Sequence, residues 1–189
     1  GADAIVTFFF GDAELSTMGM ANVMTVAERL GIRHVAYTSS GGMSYPTQES
    51  IAGDEATGAK RLPETFWRDY FPIREEAGMF PGYETSSYFL HKWLCEQIGR
   101  HFAERGNVKF TAMRPGLLMH DDMTNRDPGE TNRNYLPFFM LVTGQVRMCD
   151  CAHLYDLALR NPPAAFTAYN CSNDTPYNNL SVEKAKREL

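Results

Sequence analysis

The chain is predicted to be an α/β protein: a doubly wound parallel sheet with helices on its faces. Two observations carry this prediction. Short apolar runs at residues 4–10, 32–38, 108–113 and 166–171 alternate with longer helical patterns, the order that βαβ crossovers produce. Residues 4–10 are apolar on consecutive positions rather than alternate ones, which suits a central parallel strand covered on both faces.

The elements follow in chain order. After the first strand, Gly11, Asp12, Ala13 and Glu14 read as a turn. Residues 18–30 form a helix whose apolar stripe is Met20, Val23, Met24, Ala27 and Leu30. Gly31 stops it in the C′ position, and a second strand covers 32–38. Residues 41–83 are rich in Gly, Pro, Ser, Glu and scattered aromatics; the segment is too long for a plain connection and is expected to be functional or partly helical. A long helix is predicted over 85–105, followed by Gly106 and a strand over 108–113. Residues 120–134 are polar and turn-rich, and 135–148 are apolar again. A helix over 150–160 stops before Pro162 and Pro163. A strand over 166–171 and a helical pattern over 181–189 complete the chain. Both ends look cut, so the expectation is a fragment of a longer protein.

Composition narrows the function classes. The 189 residues are 43% hydrophobic and 22% charged, ordinary for a soluble globular protein. A net charge of −5 argues against nucleic acid as a partner. No apolar run is long enough to span a bilayer, and the first strand lacks the basic lead of a signal peptide. Cys95, Cys149, Cys151 and Cys171 show no C-x-x-C framework, which suits reduced thiols in a cytoplasmic protein.

The chemistry concentrates in three segments. Tyr88 and Lys92 are four apart on a helix and lie on one face, a turn from each other. A tyrosine hydroxyl ordinarily titrates near pH ~10 and is a poor base at neutrality. A neighbouring ammonium favours the phenolate. Ser39 and Ser40 follow the second strand, and Arg114, Pro115 and Gly116 follow the third. In an open α/β sheet ligands bind at the carboxyl ends of the strands, and Tyr88 starts on that side. Three segments thus converge on one rim, where Tyr, Lys and Ser can move a proton at a carbinol oxygen while a hydride leaves or arrives elsewhere.

These residues resemble a short-chain dehydrogenase/reductase of the extended or atypical kind. Residues 31–40, ending Tyr37-Thr38-Ser39-Ser40, resemble the strand that delivers the catalytic serine. Residues 87–92, with Glu96 four residues on, resemble the Y-x-x-x-K helix. Residues 111–116 resemble the strand and loop bordering the nicotinamide, 146–152 the helix start of the C-terminal part, and 168–172 the closing strand. The resemblance implies a partial Rossmann-like domain over 1–118 and a partial substrate-binding lobe over 119–189. It implies that Ser40 orients the substrate oxygen, Tyr88 is the general acid/base, and Lys92 assists Tyr88 and holds the nicotinamide ribose. Ser39, Pro115 and Gly116 would line the cofactor pocket, and Phe8 and Ser16 fall where the family contacts cofactor. The cofactor would be NAD or NADP, the substrate a small molecule, and helices 18–30 and 85–105 the surface of a possible homodimer. The family's glycine-rich pyrophosphate turn is absent from this sequence, so the fragment is expected to be inactive alone. Two branches stay open: the catalytic epimerase/dehydratase type, favoured by Tyr88 and the serine pair, and the NmrA-like type, which binds NAD(P) as a non-catalytic sensor.

Other candidates read more simply. Cys149, Asp150, Cys151 and His153 have the wrong spacing for zinc and suggest buried thiols at a helix start, with Asp150 a cap or first-turn carboxylate. His120, Asp121 and Asp122 read as a polar loop, and no metal is expected. Phe66, Trp67, Tyr70, Phe71, Phe80 and Tyr83 either line a substrate pocket or pack the long excursion onto the domain. His34, His91 and His101 are expected at the surface or fully hydrogen-bonded.

Overall fold

The computed structural model describes residues 1–8, 12–46, 63–80, 86–119, 144–174 and 179–189. Strands β1 (Ala4–Thr7), β2 (His34–Thr38), β3 (Lys109–Pro115) and β6 (Phe166–Cys171) form one parallel sheet in the order β1-β2-β3-β6. Its register pairs Ala4 with His34, His34 with Lys109, and Phe110 with Phe166. Helices α1 (Ala13–Leu30) and α3 (Ser87–Glu104) pack on one face; α4 (Met148–Arg160) and α5 (Glu183–Glu188) cover the other. The pleat of β2 sends Val35 and Tyr37 into the first core and Ala36 into the second. This is the predicted α/β architecture with helices on both faces of a Rossmann-like sheet.

Three differences have physical causes. Among the described residues β1 pairs only with β2 and is an edge, not a central strand. A continuous apolar run reports coverage of two faces and is silent on lateral partners. Helix α1 starts at Ala13, five residues before the predicted Met18, because the Asp12 carboxylate accepts from Leu15 N at 2.8 Å and caps the first turn. Beyond the predicted division at residue 118, β6 still joins the main sheet beside β3, and α4 packs on its face. Outside that sheet, β4 (Leu117–Met119) and β5 (Gln145–Arg147) pair in parallel. Three-residue strands carry too little periodicity to be read from sequence.

Local signals explain the other boundaries. Gly31 takes φ 70°, and its N–H with that of Ile32 closes α1 onto Ala27. Ser86 caps α3 through Phe89 N. Gly99 lets α3 lie close on β3: a Cβ there would sit 2.3 Å from the Phe110 ring. The long segment after β2 contains a 3-10 turn (Gly41–Ser44) and helix α2 (Glu64–Tyr70). Its aromatics pack on one another. Phe66 stacks on Tyr70 at 4.6 Å, Phe80 meets both edge-on, and the Tyr70 hydroxyl donates to Ser44 O at 2.6 Å. The Trp67 side chain and Tyr83 lie outside the described residues.

A buried ion pair joins the helix layer to the sheet. Arg114 Nε and Nη2 donate to Glu96 Oε1 and Oε2 at 2.9 and 2.7 Å. Arg114 Nη1 donates to the carbonyls of Glu75 and Ala77, which draws the excursion onto the carboxyl end of β3. Asn170 of β6 donates from its backbone N to Glu75 Oε1 and from Nδ2 to Ile73 O and Ser181 O. Glu75 is buried, and that burial pushes its carboxyl up from the usual range.

Two histidines differ from expectation. His34 and His91 are both buried; His34 Nε2 meets Thr111 Oγ1 at 2.9 Å, and its Nδ1 has no partner among the described residues. Of the three, only His101 is exposed. Cys149 is exposed as well, while Cys151 is buried, so the predicted buried thiols hold for one of the two. Asp150 lies in the first turn of α4, paired with Arg147 at 2.7 Å.

Two stability predictions follow from these buried groups. Replacing Glu96 by Gln leaves the Arg114 charge uncompensated, and urea denaturation is expected to show a loss of about 3–5 kcal/mol. Burial, reinforced by nearby Lys109, pushes the His34 imidazole down to about 4. As pH falls from about 6.5 to about 4, the unfolded chain takes up a proton that the folded chain refuses, so stability is lost with falling pH across that window. In His34→Gln that part of the pH slope is expected to vanish; equal slopes in the two proteins would refute the assignment.

Candidate active site

Lys92 is the most constrained of the predicted residues. It lies on the inner face of α3, 0% exposed, with Nζ donating to Thr38 O at 2.8 Å. The same nitrogen stands 5.2 Å from the Tyr37 ring centroid and 5.7 Å from that of Tyr88. Burial pushes its pKa down to about 8, so at neutral pH it still carries its proton. Tyr88, one turn earlier in the first turn of α3, is 41% exposed. The i, i+4 spacing places the two side chains on one face of α3, and packing against the sheet buries Lys92 while Tyr88 stays partly exposed.

Ser40 caps the 3-10 turn, its Oγ accepting from Gly42 N at 3.2 Å. That bond uses a lone pair and leaves the hydroxyl proton free to donate to a substrate oxygen. The Phe89 ring, next to Tyr88, lies against Gly42: a Cβ at Gly42 would be 2.9 Å from it. Gly41 in turn approaches the backbone of β3, where a Cβ would stand 3.3 Å from Arg114 O and Pro115 O. The turn after Ser40 thus sits between the start of α3 and the end of β3, which brings the three predicted segments to one rim.

The cofactor candidates divide. Ser39 is buried, its N donates to Met113 O at 2.7 Å, and its Oγ has no hydrogen-bond partner among the described residues. Phe8 is 59% exposed just past β1. Gly116 N already donates to Cys171 O at 3.0 Å, and Pro115 has no N–H, so neither offers a backbone donor to a ligand. Ser16 is buried in the seam between α1 and α3, where Cys95 Sγ donates to its carbonyl at 3.4 Å. His120, Asp121 and Asp122 lie outside the described residues. Among the described residues, no three His, Cys, Asp or Glu side chains are grouped to hold a metal.

Sequence reasoning passed over two residues of this rim. Thr38 supplies the carbonyl that seats Lys92, and its Oγ1 is hydrogen-bonded to the Tyr155 hydroxyl from α4. The signal was a tyrosine within the buried stripe Cys151, Tyr155, Ala158, where a phenol hydroxyl requires a partner.

The fold has counterparts among known proteins. Residues 13–159 match the NAD-binding family described as male sterility protein. No curated protein matches the chain. Among solved structures, uronate dehydrogenase from Agrobacterium tumefaciens is similar at TM-score 0.64 and 13% identity, over 99% of this chain and 59% of that one. A short-chain dehydrogenase/reductase superfamily protein from Agrobacterium tumefaciens, with bound NAD, is similar at TM-score 0.62 and 20% identity, over 95% and 62%. A dTDP-glucose 4,6-dehydratase from Bacillus anthracis, in complex with NAD, is similar at TM-score 0.60 and 11% identity, over 97% and 65%. The chain spans less than two thirds of the length of each of these three. The family match covers most of the chain, and the chain belongs to this NAD-binding male sterility protein family.

Proposed function

We propose that this chain carries the proton-transfer half of an NAD(P)-dependent oxidoreductase of the epimerase/dehydratase kind, acting on a carbinol or carbonyl centre of a small molecule. The observation that carries this reading is the fully buried Lys92 ammonium, seated on Thr38 O one turn beneath the solvent-facing Tyr88. When bound, the nicotinamide supplies or accepts the hydride. Tyr88 moves the proton at the substrate oxygen, with the Lys92 nitrogen 5.7 Å from its ring centroid. Ser40 donates its hydroxyl hydrogen to the same substrate oxygen and orients it. The orphaned, buried Ser39 Oγ fits a polar group of the bound cofactor at the rim. These residues account for the nicotinamide end only, since the 189 residues contain no glycine-rich pyrophosphate turn.

We also propose that two copies pair through α1 and α3. The outer face of α1 presents Leu15, Met18, Val26 and Leu30, all exposed, at helical spacing. Among the described residues no helix is long and apolar enough to cross a membrane, so a membrane-spanning role for this face is not supported.

Two measurements test these readings. In the full-length protein, Tyr88→Phe is expected to lower the rate of nicotinamide reduction with uronates or nucleotide sugars by roughly 10²–10⁴-fold, with NAD binding retained. Unchanged turnover would remove Tyr88 from the chemistry, and NAD binding without turnover in the parent protein would favour the sensor reading. Analytical ultracentrifugation is expected to show a dimer that Val26→Lys converts to monomer; a parent protein that sediments as a monomer would end the pairing proposal.

A further inference from the structure

We propose that Tyr155 is a positioning residue for the proton-transfer centre: from α4, on the face of the sheet opposite α3, it holds the strand end on which Lys92 is seated. The role rests on the proposed function, whereas the contacts themselves do not. Thr38 is gripped from both faces. On one side its backbone carbonyl accepts from Lys92 Nζ at 2.8 Å; on the other its Oγ1 is hydrogen-bonded to the Tyr155 hydroxyl. Ser39 and Ser40 follow directly, so the residue fixed by Tyr155 also leads into the turn that presents the Ser40 hydroxyl.

The Tyr155 hydroxyl is not needed for packing. Its ring fills the core beside Cys151 and Ala158, a place that phenylalanine would fill equally well. A buried hydroxyl costs free energy unless it is bonded, and here the bond goes to Thr38. Burial also pushes the Tyr155 phenol above its ordinary range, which keeps it protonated. The ring lies 6.0 Å from the Phe8 ring, past the carboxyl end of β1. One side chain from the C-terminal part of the chain therefore touches the ends of two strands that face the rim. Thr38 couples the two faces because both bonds fall on one residue: holding Oγ1 restrains the backbone that carries its carbonyl.

The Lys92 titration reads this directly, in the protein without cofactor or substrate. With lysine labelled with ¹³C at Cε, the Lys92 resonance is the one lost in Lys92→Arg, and its midpoint is expected near about 8. Tyr155→Phe is expected to raise that midpoint toward the ordinary lysine value by about half a unit or more, because a loosened strand end admits water to the ammonium. Thr38→Val removes the same bond from the other side and is expected to do likewise, while Thr38→Ser keeps the hydroxyl and the parental midpoint. Should Tyr155→Phe fail to fold, the Thr38 pair decides alone. A parental midpoint in a folded Tyr155→Phe or Thr38→Val protein overturns the proposal, even if Tyr88→Phe abolishes turnover. A raised midpoint supports it even in a protein that turns nothing over, so this role and the proposed reaction fail separately.

Discussion

The buried pairing of Arg114 with Glu96 is the interaction on which the rest of the architecture depends. Its two nitrogen–oxygen contacts, at 2.9 and 2.7 Å, fix the rotation of α3 against β3. Glu96 lies one turn from Lys92 and two turns from Tyr88 on the same helix, so the rotation that satisfies the guanidinium also turns Lys92 inward. The remaining Arg114 donor reaches Glu75 O and Ala77 O and holds the excursion against the sheet, with Asn170 securing Glu75 from the neighbouring strand. Buried ion pairs add little net stability relative to apolar packing, but they tolerate few alternative geometries. Here that intolerance is useful, because it sets one register between a helix and a sheet that bear different parts of the rim.

Helix α3 thus buries two opposite charges one turn apart, and each is satisfied by β2 or β3. Glu96 meets Arg114, and Lys92 meets the Thr38 carbonyl. An amphipathic helix chosen for stability alone would place apolar side chains at these positions. The desolvation of Lys92 is visible in its depressed pKa, and it is the cost of keeping a cation beneath Tyr88 without exposing it to water. The second core, on the opposite face, reaches the same strand end through Tyr155. The rim is therefore held from both faces of the sheet, although Tyr88 and Lys92 come from one.

Much of this was legible in the sequence, and the failures have particular causes. The strands at 32–38 and 166–171, the long helix bearing Tyr88 and Lys92, and the stop at Gly31 all rest on local signals: apolar runs, helical stripes and a glycine that takes positive φ. The start of α1 was also local, in the Asp12 cap, and was obscured by the neighbouring glycine. The aromatic residues of the excursion had two readings in sequence; the contacts among Phe66, Tyr70 and Phe80 favour packing. The β4–β5 pair, the edge position of β1 and the half-satisfied His34 depend on partners far along the chain, which no window of sequence contains.

By itself the sequence determined the α/β class and the placing of Tyr88 and Lys92 on one helix face, because helix and strand periodicity and the Tyr/Lys spacing are properties of neighbouring residues. Only the tertiary structure decided that Lys92 is buried on Thr38 O rather than extended into solvent, and that Thr38 is bonded in turn to Tyr155. It also decided that Gly116 spends its N–H on Cys171 O instead of offering it to a ligand. The physical reason is common to all three. A hydrogen-bond donor takes whichever acceptor the packed layers bring within reach, and that proximity exists only after residues tens of positions apart have been folded together.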